Sequence, residues 1–365
     1  MGVNVVNLGD LVKIQTGKLD ANASDENGLY PFFTCAVEPL SINTYAYDCE
    51  CILIAGNGDL NVKYYKGKFN AYQRTYIIEV IDKNLDIRYL YHFLTKYIDV
   101  LRQNSIGGVI KYIKLGDLTG IKLPLPSLEE QKKIVSILDK ADEIRRKKKQ
   151  ANDKLDEFLK STFIDMFGDK DYEKRCLEDI SMRKGEYGSG ASAGEYDISL
   201  PRYVRITDIN DNGKLTNTPV SPNNEPNIDK YTLTNGDILF ARSGATVGKT
   251  YLYNERDGWC IYAGYCIRFK LNQDIVNPNY IFIYTQMNEY KAWVKSKQKV
   301  VAQPNINAQQ YGQELLIPIP PIELQNKFAK IVEKVEAQKQ KNEQVTEQMD
   351  NLFNALSQKA FKGEL

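Results

Sequence analysis

The polar and apolar positions of this chain form two long, narrow stripes that keep step with each other. From Ile134, 3-4 spacing picks out Ile134, Ile137, Ala141, Ile144, Lys148, Ala151, Leu155, Phe158 and Thr162. The same spacing 194 residues later picks out Phe328, Ile331, Val335, Gln338, Asn342, Val345, Met349, Leu352 and Leu356. Stripes this narrow, with apolar ends and a polar middle, predict coiled-coil seams rather than the broad apolar face of a helix lying on a sheet. The interval also relates Pro124 to Pro318, Pro126 to Pro320, Glu129 to Glu323, Gln131 to Gln325, Asp156 to Asp350 and Phe167 to Phe361, which marks a duplication. Two unrelated amphipathic helices would not share their polar positions. The copies are therefore expected to pair antiparallel about a pseudo-dyad, with Lys148 opposite Asn342 and partner numbers totalling 490. That register sets Ile134 near Leu356 and Thr162 near Phe328.

The starts of both helices are written into the sequence. Prolines stop the preceding strand, Ser127 can cap the first turn, and Glu129 and Glu130 sit where the helix dipole favours carboxylates. In the second copy Pro321 takes the first helical position.

The intervening segments alternate short apolar runs with glycine-rich turns. In residues 1–123 the strand signals are Val12 to Gln15, Cys51 to Ala55 and Ala71 to Val80, and Asp86 to Arg102 has helical spacing. Residues 169–317 repeat this order in longer form. Leu177 to Ile180 answers Leu8 to Leu11, Asp237 to Gly244 answers Glu50 to Gly58, and Ile281 to Val294 answers the helix around Tyr89. The predicted organisation is α+β: two similar mixed α/β domains (1–123 and 169–317) and two long helical segments (124–168 and 318–365).

Composition narrows the chemistry. With 48 basic and 47 acidic residues there is no global charge sign pointing to nucleic acid, so any such surface must be local. No signal peptide or membrane-length apolar run is present, which leads us to expect a cytoplasmic protein. Six scattered cysteines are read as reduced thiols, and Cys49 and Cys51 have no second pair at zinc-site spacing, so no metal is expected. The single histidine, His92, lies in an aromatic helical run and reads as a packing residue, which leaves few ways to build acid–base catalysis.

Two motifs suggest enzymes and fall short. Gly244 to Thr250 resembles a phosphate-binding loop, but three residues rather than four separate its glycines. Asn277-Pro278-Asn279-Tyr280 resembles the Asn-Pro-Pro-Tyr motif of adenine methyltransferases, but lacks the second proline and reads more simply as a helix cap. Cations interleave with aromatics at Lys63 to Lys68 and from Lys291 through Trp293 to Lys299, a pattern that can neutralise phosphates and stack on bases. Arg145 to Lys149 reads as a solvated helix face, with a place along a phosphate backbone as the alternative.

Taken together, these residues resemble the DNA-specificity subunits of type I restriction-modification systems. The resemblance covers essentially the whole chain. It is most specific at Ile121 to Pro126 with Glu129 and Gln131, at Ile317 to Pro321 with Glu323 and Gln325, at Tyr203 to Ile209, and at Asp237 to Lys249. It implies that each mixed domain is a target-recognition domain reading half of a split double-stranded DNA sequence. It further implies that the repeated helices are spacers docking two methyltransferase subunits, with restriction subunits as further partners. The chain itself would be non-catalytic, and S-adenosylmethionine would bind in the methyltransferase partners. DNA contacts are expected from Lys18, Lys63, Tyr64, Lys66, Lys68 and Arg74 in the first domain, and from Arg183, Tyr187, Arg205, Arg242, Ser243 and Lys249 in the second, because glycine-broken loops after strands usually carry binding groups. The alternatives are a nucleotide- or S-adenosylmethionine-using enzyme and a coiled-coil adaptor that binds no DNA.

Overall fold

The computed structural model describes residues 4–107, 111–168, 170–298 and 304–362. Lys299 of the cationic run, the first three and last three residues of the chain, and the side chain of Phe361 lie outside them. The chain divides into two compact units, Met1–Lys149 with Glu343–Leu365, and Gln150–Asn342. Each unit thus holds one mixed domain and a half of each long helix.

The first unit runs through β1 (Asn4–Asn7), β2 (Val12–Thr16), β3 (Tyr30–Phe33), β4 (Leu40–Ile42), β5 (Tyr47–Ala55), β6 (Val62–Ala71), β7 (Thr75–Val80), α1 (Ile87–Asn104), α2 (Leu115–Thr119), β8 (Lys122–Leu125) and the start of α3 (Leu128–Phe167). Six strands form one sheet in the order β2-β7-β5-β6-β3-β4. Its centre is the apolar run Cys51 to Ala55, buried at every position because α1 covers one face and Phe33, Phe69 and Ile77 pack on the other. Asp86 caps α1, its carboxylate accepting from the amides of Arg88 and Tyr89 at 2.8 and 3.1 Å. His92 is buried on α1 and donates through Nε2 to Asp139 of α3 at 2.7 Å, beside an Arg88 bond to the same oxygen at 2.5 Å. Burial alone would raise the Asp139 pKa, but these two bonds hold it below the usual carboxylate value.

The second unit continues from α3 through β9 (Lys174–Cys176), β10 (Glu186–Tyr187), β11 (Ser192–Gly194), β12 (Arg202–Val204), β13 (Ser221–Asn223), α4 (Ile228–Tyr231), β14 (Asp237–Ala241), β15 (Thr250–Leu252), β16 (Cys260–Tyr262), β17 (Cys266–Lys270), α5 (Pro278–Tyr284), α6 (Asn288–Gln298), α7 (Ala308–Glu314), β18 (Leu316–Pro318) and the start of α8 (Ile322–Lys362). Its main sheet has the order β10-β17-β14-β15, with the all-buried β14 in the role β5 has in the first unit. Among the described residues no helix is long and apolar enough to cross a membrane.

The long helices pair antiparallel inside each unit, but not in the expected register. Arg145 Nε meets Asp350 at 2.6 Å, Asn342 donates to Asn152 at 2.7 Å, and Lys339 bonds Asp156. Each partner lies about one helical turn beyond the position a total of 490 assigns. The observed register matches charge: Arg145 and Lys339 are 194 residues apart, as are Asp156 and Asp350, so one ion pair occurs twice. Lys148 opposite Asn342 would have left a cation facing an uncharged amide.

The seam is also rotated. Ile134, Leu138, Ala141, Leu159, Phe163 and Phe167 are buried on α3, and Phe328, Val332, Val335, Asn342 and Phe353 on α8. Of the apolar seam residues expected above, Ile137, Phe158 and Leu352 instead lie on the outer face, 42%, 51% and 47% exposed, and Gln338 is exposed as well. Strict 3-4 spacing advances 28 residues from Ile134 to Thr162, whereas the buried stripe advances 29 to Phe163. A helix at 3.6 residues per turn drifts about 20° per heptad from a 3.5 repeat, so four heptads accumulate nearly one residue of rotation.

Candidate nucleic-acid interface

Each mixed domain is fastened to its long helix by the same buried amide. Gln131 is fully buried; its oxygen accepts from Asp86 N at 2.8 Å while its nitrogen donates to the carbonyls of Asn84 and Pro126 at 2.8 and 2.9 Å. Gln325, also fully buried, accepts from Asn277 N at 2.9 Å and donates to the carbonyls of Ile275 and Pro320 at 3.3 and 2.7 Å. Tyr89 donates to the Pro124 carbonyl and Tyr280 to that of Pro318, both at 2.8 Å. The Pro-x-Pro and Gln spacing therefore sets where a domain meets its helix, and a buried amide with its hydrogen-bonding groups matched tolerates no other residue easily.

In the first domain the cationic run on β6 is divided by strand alternation. Lys63 and Tyr65 face one side of the sheet, where Tyr65 packs on Phe33 and Phe69 at 5.0 and 5.6 Å between ring centroids. Tyr64 faces α1, under the Arg88 guanidinium at 4.5 Å, and donates to Glu50 at 2.6 Å. Burial, with the Glu50 bond behind it, pushes the Tyr64 hydroxyl up to about 12. Lys66 pairs with the other Glu50 oxygen at 2.9 Å, and Lys63 bonds Asn61, with burial lowering its ammonium pKa. Lys68 is exposed over the ring of Tyr45 at 4.6 Å, a residue whose loop position gave no signal in the sequence. Lys18 is exposed in the loop after β2 and Arg74 is exposed at a turn, where it borders a cavity of about 280 Å3 with Thr16, Gly56, Tyr76 and Tyr112.

The second domain brings three of its expected residues together. Arg242 lies 4.8 Å from the centroid of Tyr187, next to Ser243, and its Nε donates to Asn305 at 3.3 Å. Tyr187 is held from behind by the amide of Ala308, which donates to its hydroxyl at 3.1 Å. Exposed Tyr265, overlooked in the sequence because it follows a short strand without cations, lines a second cavity of about 340 Å3 with Tyr203 and Arg205. Arg205 is committed inward: Nε and Nη2 grip buried Asp208 at 3.0 and 2.7 Å, which raises the guanidinium pKa. Lys249 pairs with Asp211 at 2.8 Å, and Arg183 stands 3.9 Å from Glu186.

The two enzyme-like motifs take structural roles. Gly244 to Thr246 is a single 3-10 turn and the chain then enters β15, so no helix N-terminus follows to hold a phosphate. Asn277 caps α5, accepting from Asn279 N at 3.0 Å, and Tyr280 is buried. In the α6 run, Trp293 turns inward against Tyr311 at 5.6 Å and donates to the Glu314 carbonyl, so it offers no open ring for stacking.

Comparison with known proteins matches this doubled architecture. A family model described as the type I restriction modification DNA specificity domain matches residues 1–157 and again 169–347. The Type I restriction enzyme EcoDI specificity subunit of Escherichia coli is 31% identical over 400 residues, covering 99% of this chain and 88% of that protein. The MjaVIII specificity subunit of Methanocaldococcus jannaschii is 24% identical, covering 96% and 91%. Among solved structures, the S subunit of a type I restriction-modification system from M. genitalium has a similar fold, with a TM-score of 0.59 at 17% identity over 98% of this chain and 96% of that one.

Proposed function

We propose, from the premise that this chain belongs to the type I restriction-modification DNA specificity family, that it is the sequence-reading, non-catalytic subunit of such a complex. The observation that carries this reading is the repeat itself: two like domains, each fixed to a like helix by the same glutamine. A duplicated reader suits two half-sites as dimeric DNA readers do, and placing both in one chain lets the halves diverge and the target become asymmetric. The partners on this reading are double-stranded DNA and two methyltransferase subunits that carry S-adenosylmethionine, with restriction subunits joining the same complex in the cytoplasm. Within the expected contact set, Lys18, Lys68, Arg74, Tyr187 and Arg242 are the groups least committed to internal ion pairs. Lys63, Tyr64 and Lys66 in the first domain, and Arg183, Arg205, Ser243 and Lys249 in the second, support the surface of their own domain mainly by shaping it.

Methylome sequencing of a host with and without this gene tests the proposal. Loss of one split adenine-methylation motif is the expected outcome; an unchanged methylome with the partner methyltransferase expressed would overturn it. The enzyme alternative separates cleanly, since purified chain should bind neither labelled S-adenosylmethionine nor ATP.

A further inference from the structure

We infer that a single arginine in each domain, Arg74 in the first and Arg242 in the second, is a specificity-determining side chain of its half-site, delivered from two different positions of one repeated backbone frame. The inference rests on the DNA-reading function proposed above.

The frame is defined by matching backbone bonds. Gly56 N donates to Arg74 O at 2.7 Å, as Arg242 N does to Tyr265 O at 3.0 Å. Ile113 N donates to Gly56 O at 3.0 Å, as Ile306 N does to Arg242 O at 2.8 Å. Gly58 N reaches Lys111 O at 2.9 Å, and Gly244 N reaches Pro304 O at 3.0 Å. Asn57 bridges Tyr112 as Ser243 bridges Asn305. On the neighbouring turn, Gly17 N donates to Thr75 O and Gly188 N to Cys266 O, at 3.1 and 3.3 Å. Both glycines are pressed against the backbone: a Cβ would stand 2.2 Å from Ala71 O in one and 2.3 Å from Tyr262 O in the other. These bonds align Thr16 with Tyr187, Gly56 with Arg242, Arg74 with Tyr265, and Tyr112 with Asn305.

The aligned positions carry exchanged chemistry. In the first domain the strand end is glycine and the facing turn supplies Arg74, which leaves the cavity of about 280 Å3 beside Tyr76 and Tyr112. In the second domain the strand end supplies Arg242 and the facing turn supplies Tyr265. The Tyr187 ring beneath it and the Asn305 bond hold the Arg242 guanidinium in place, and its two Nη groups have no hydrogen-bond partner among the described residues. A planar fork held by its Nε, with both outer nitrogens free, fits the paired acceptors O6 and N7 of guanine, and little rotamer freedom is lost on contact. Arg74 has no ion pair among the described residues, and the open cavity next to it leaves room for a base edge. One frame with its arginine moved between two positions is a direct way for duplicated readers to recognise different half-sites.

The test uses the complex assembled with its methyltransferase subunits, and measures methylation rates on duplexes in which each base pair of both half-sites is varied in turn. Arg242→Ala and Arg242→Lys should each reduce discrimination at a base pair of one half by about tenfold or more, with the other half read as before. Arg74→Ala and Arg74→Lys should do the same in the opposite half. Lysine keeps the charge and loses the fork, so lysine variants that retain full discrimination, with only the salt dependence altered, would assign the arginines to phosphate contacts and overturn the inference. Unchanged discrimination in the alanine variants overturns it as well. A wild-type complex that methylates no split sequence would instead refute the DNA-reading function itself.

Discussion

Gln131 and Gln325 show how much of a fold can hang on one side chain. Each joins a strand end, the approach to a helix and the first turn of a long helix, and each has its oxygen and nitrogen satisfied inside the protein. Gln131→Ala would strand Asp86 N and the carbonyls of Asn84 and Pro126, at an expected cost of about 2–3 kcal/mol; Gln325→Ala should cost a similar amount in the second unit. Chemical denaturation of both variants checks this, and a loss confined to one of them would show that the two networks are not equivalent. The interval of 194 made these residues visible as a pair, yet nothing in sequence gave their task, because two of the three partners of each are backbone groups of a distant loop. Exposed Ile137 and Phe158 mark the opposite gap: an apolar residue at seam spacing need not be in the seam.

At the scale of the element, the long helices were the most legible part of the chain and still carried an error of register. Periodicity located them closely: α3 begins at Leu128 and α8 at Ile322, just after the Pro-x-Pro signals. It could not fix their facing, because a one-residue drift over four heptads is invisible in a single stripe and becomes visible only when partners bond. The repeated ion pair now gives a test of register. Asp350→Arg should set two cations together with Arg145 and lower stability, by up to about 1 kcal/mol given the partial exposure of both groups. Adding Arg145→Asp to Asp350→Arg should recover most of that loss. Failure of the double variant to recover, in thermal melts at low salt, would mean that Arg145 and Asp350 do not set the register. The domains were less legible than the helices because loop insertions keep changing their interval. It is 171 residues at Gly17 and Gly188, 186 at Gly56 and Arg242, and 191 at Arg74 and Tyr265, reaching 194 by Pro124 and Pro318. The order of elements survives such slippage; a residue-by-residue alignment does not.

For the whole molecule the testable property is the separation between the two half-sites. If the paired helices are the ruler, their length sets the gap and the domains set the bases. Seven added residues lengthen a helix by about 10 Å, or roughly three base-pair steps at ~3.4 Å each. They also turn it about 20° short of two full turns, so the seam still faces its partner. The ion pair between Arg145 and Asp350 and the hydrogen bond between Asn342 and Asn152 place the matched points between Lys149 and Gln150 in α3 and between Gln344 and Val345 in α8. A heptad inserted at one point alone leaves apolar knobs without holes and should destabilise the pairing. Heptads at both points should preserve stability and yield a methylated motif with the same bases in each half and a longer unspecified gap, read directly by methylome sequencing. Bases altered with the gap unchanged would show that the helices do not measure the target.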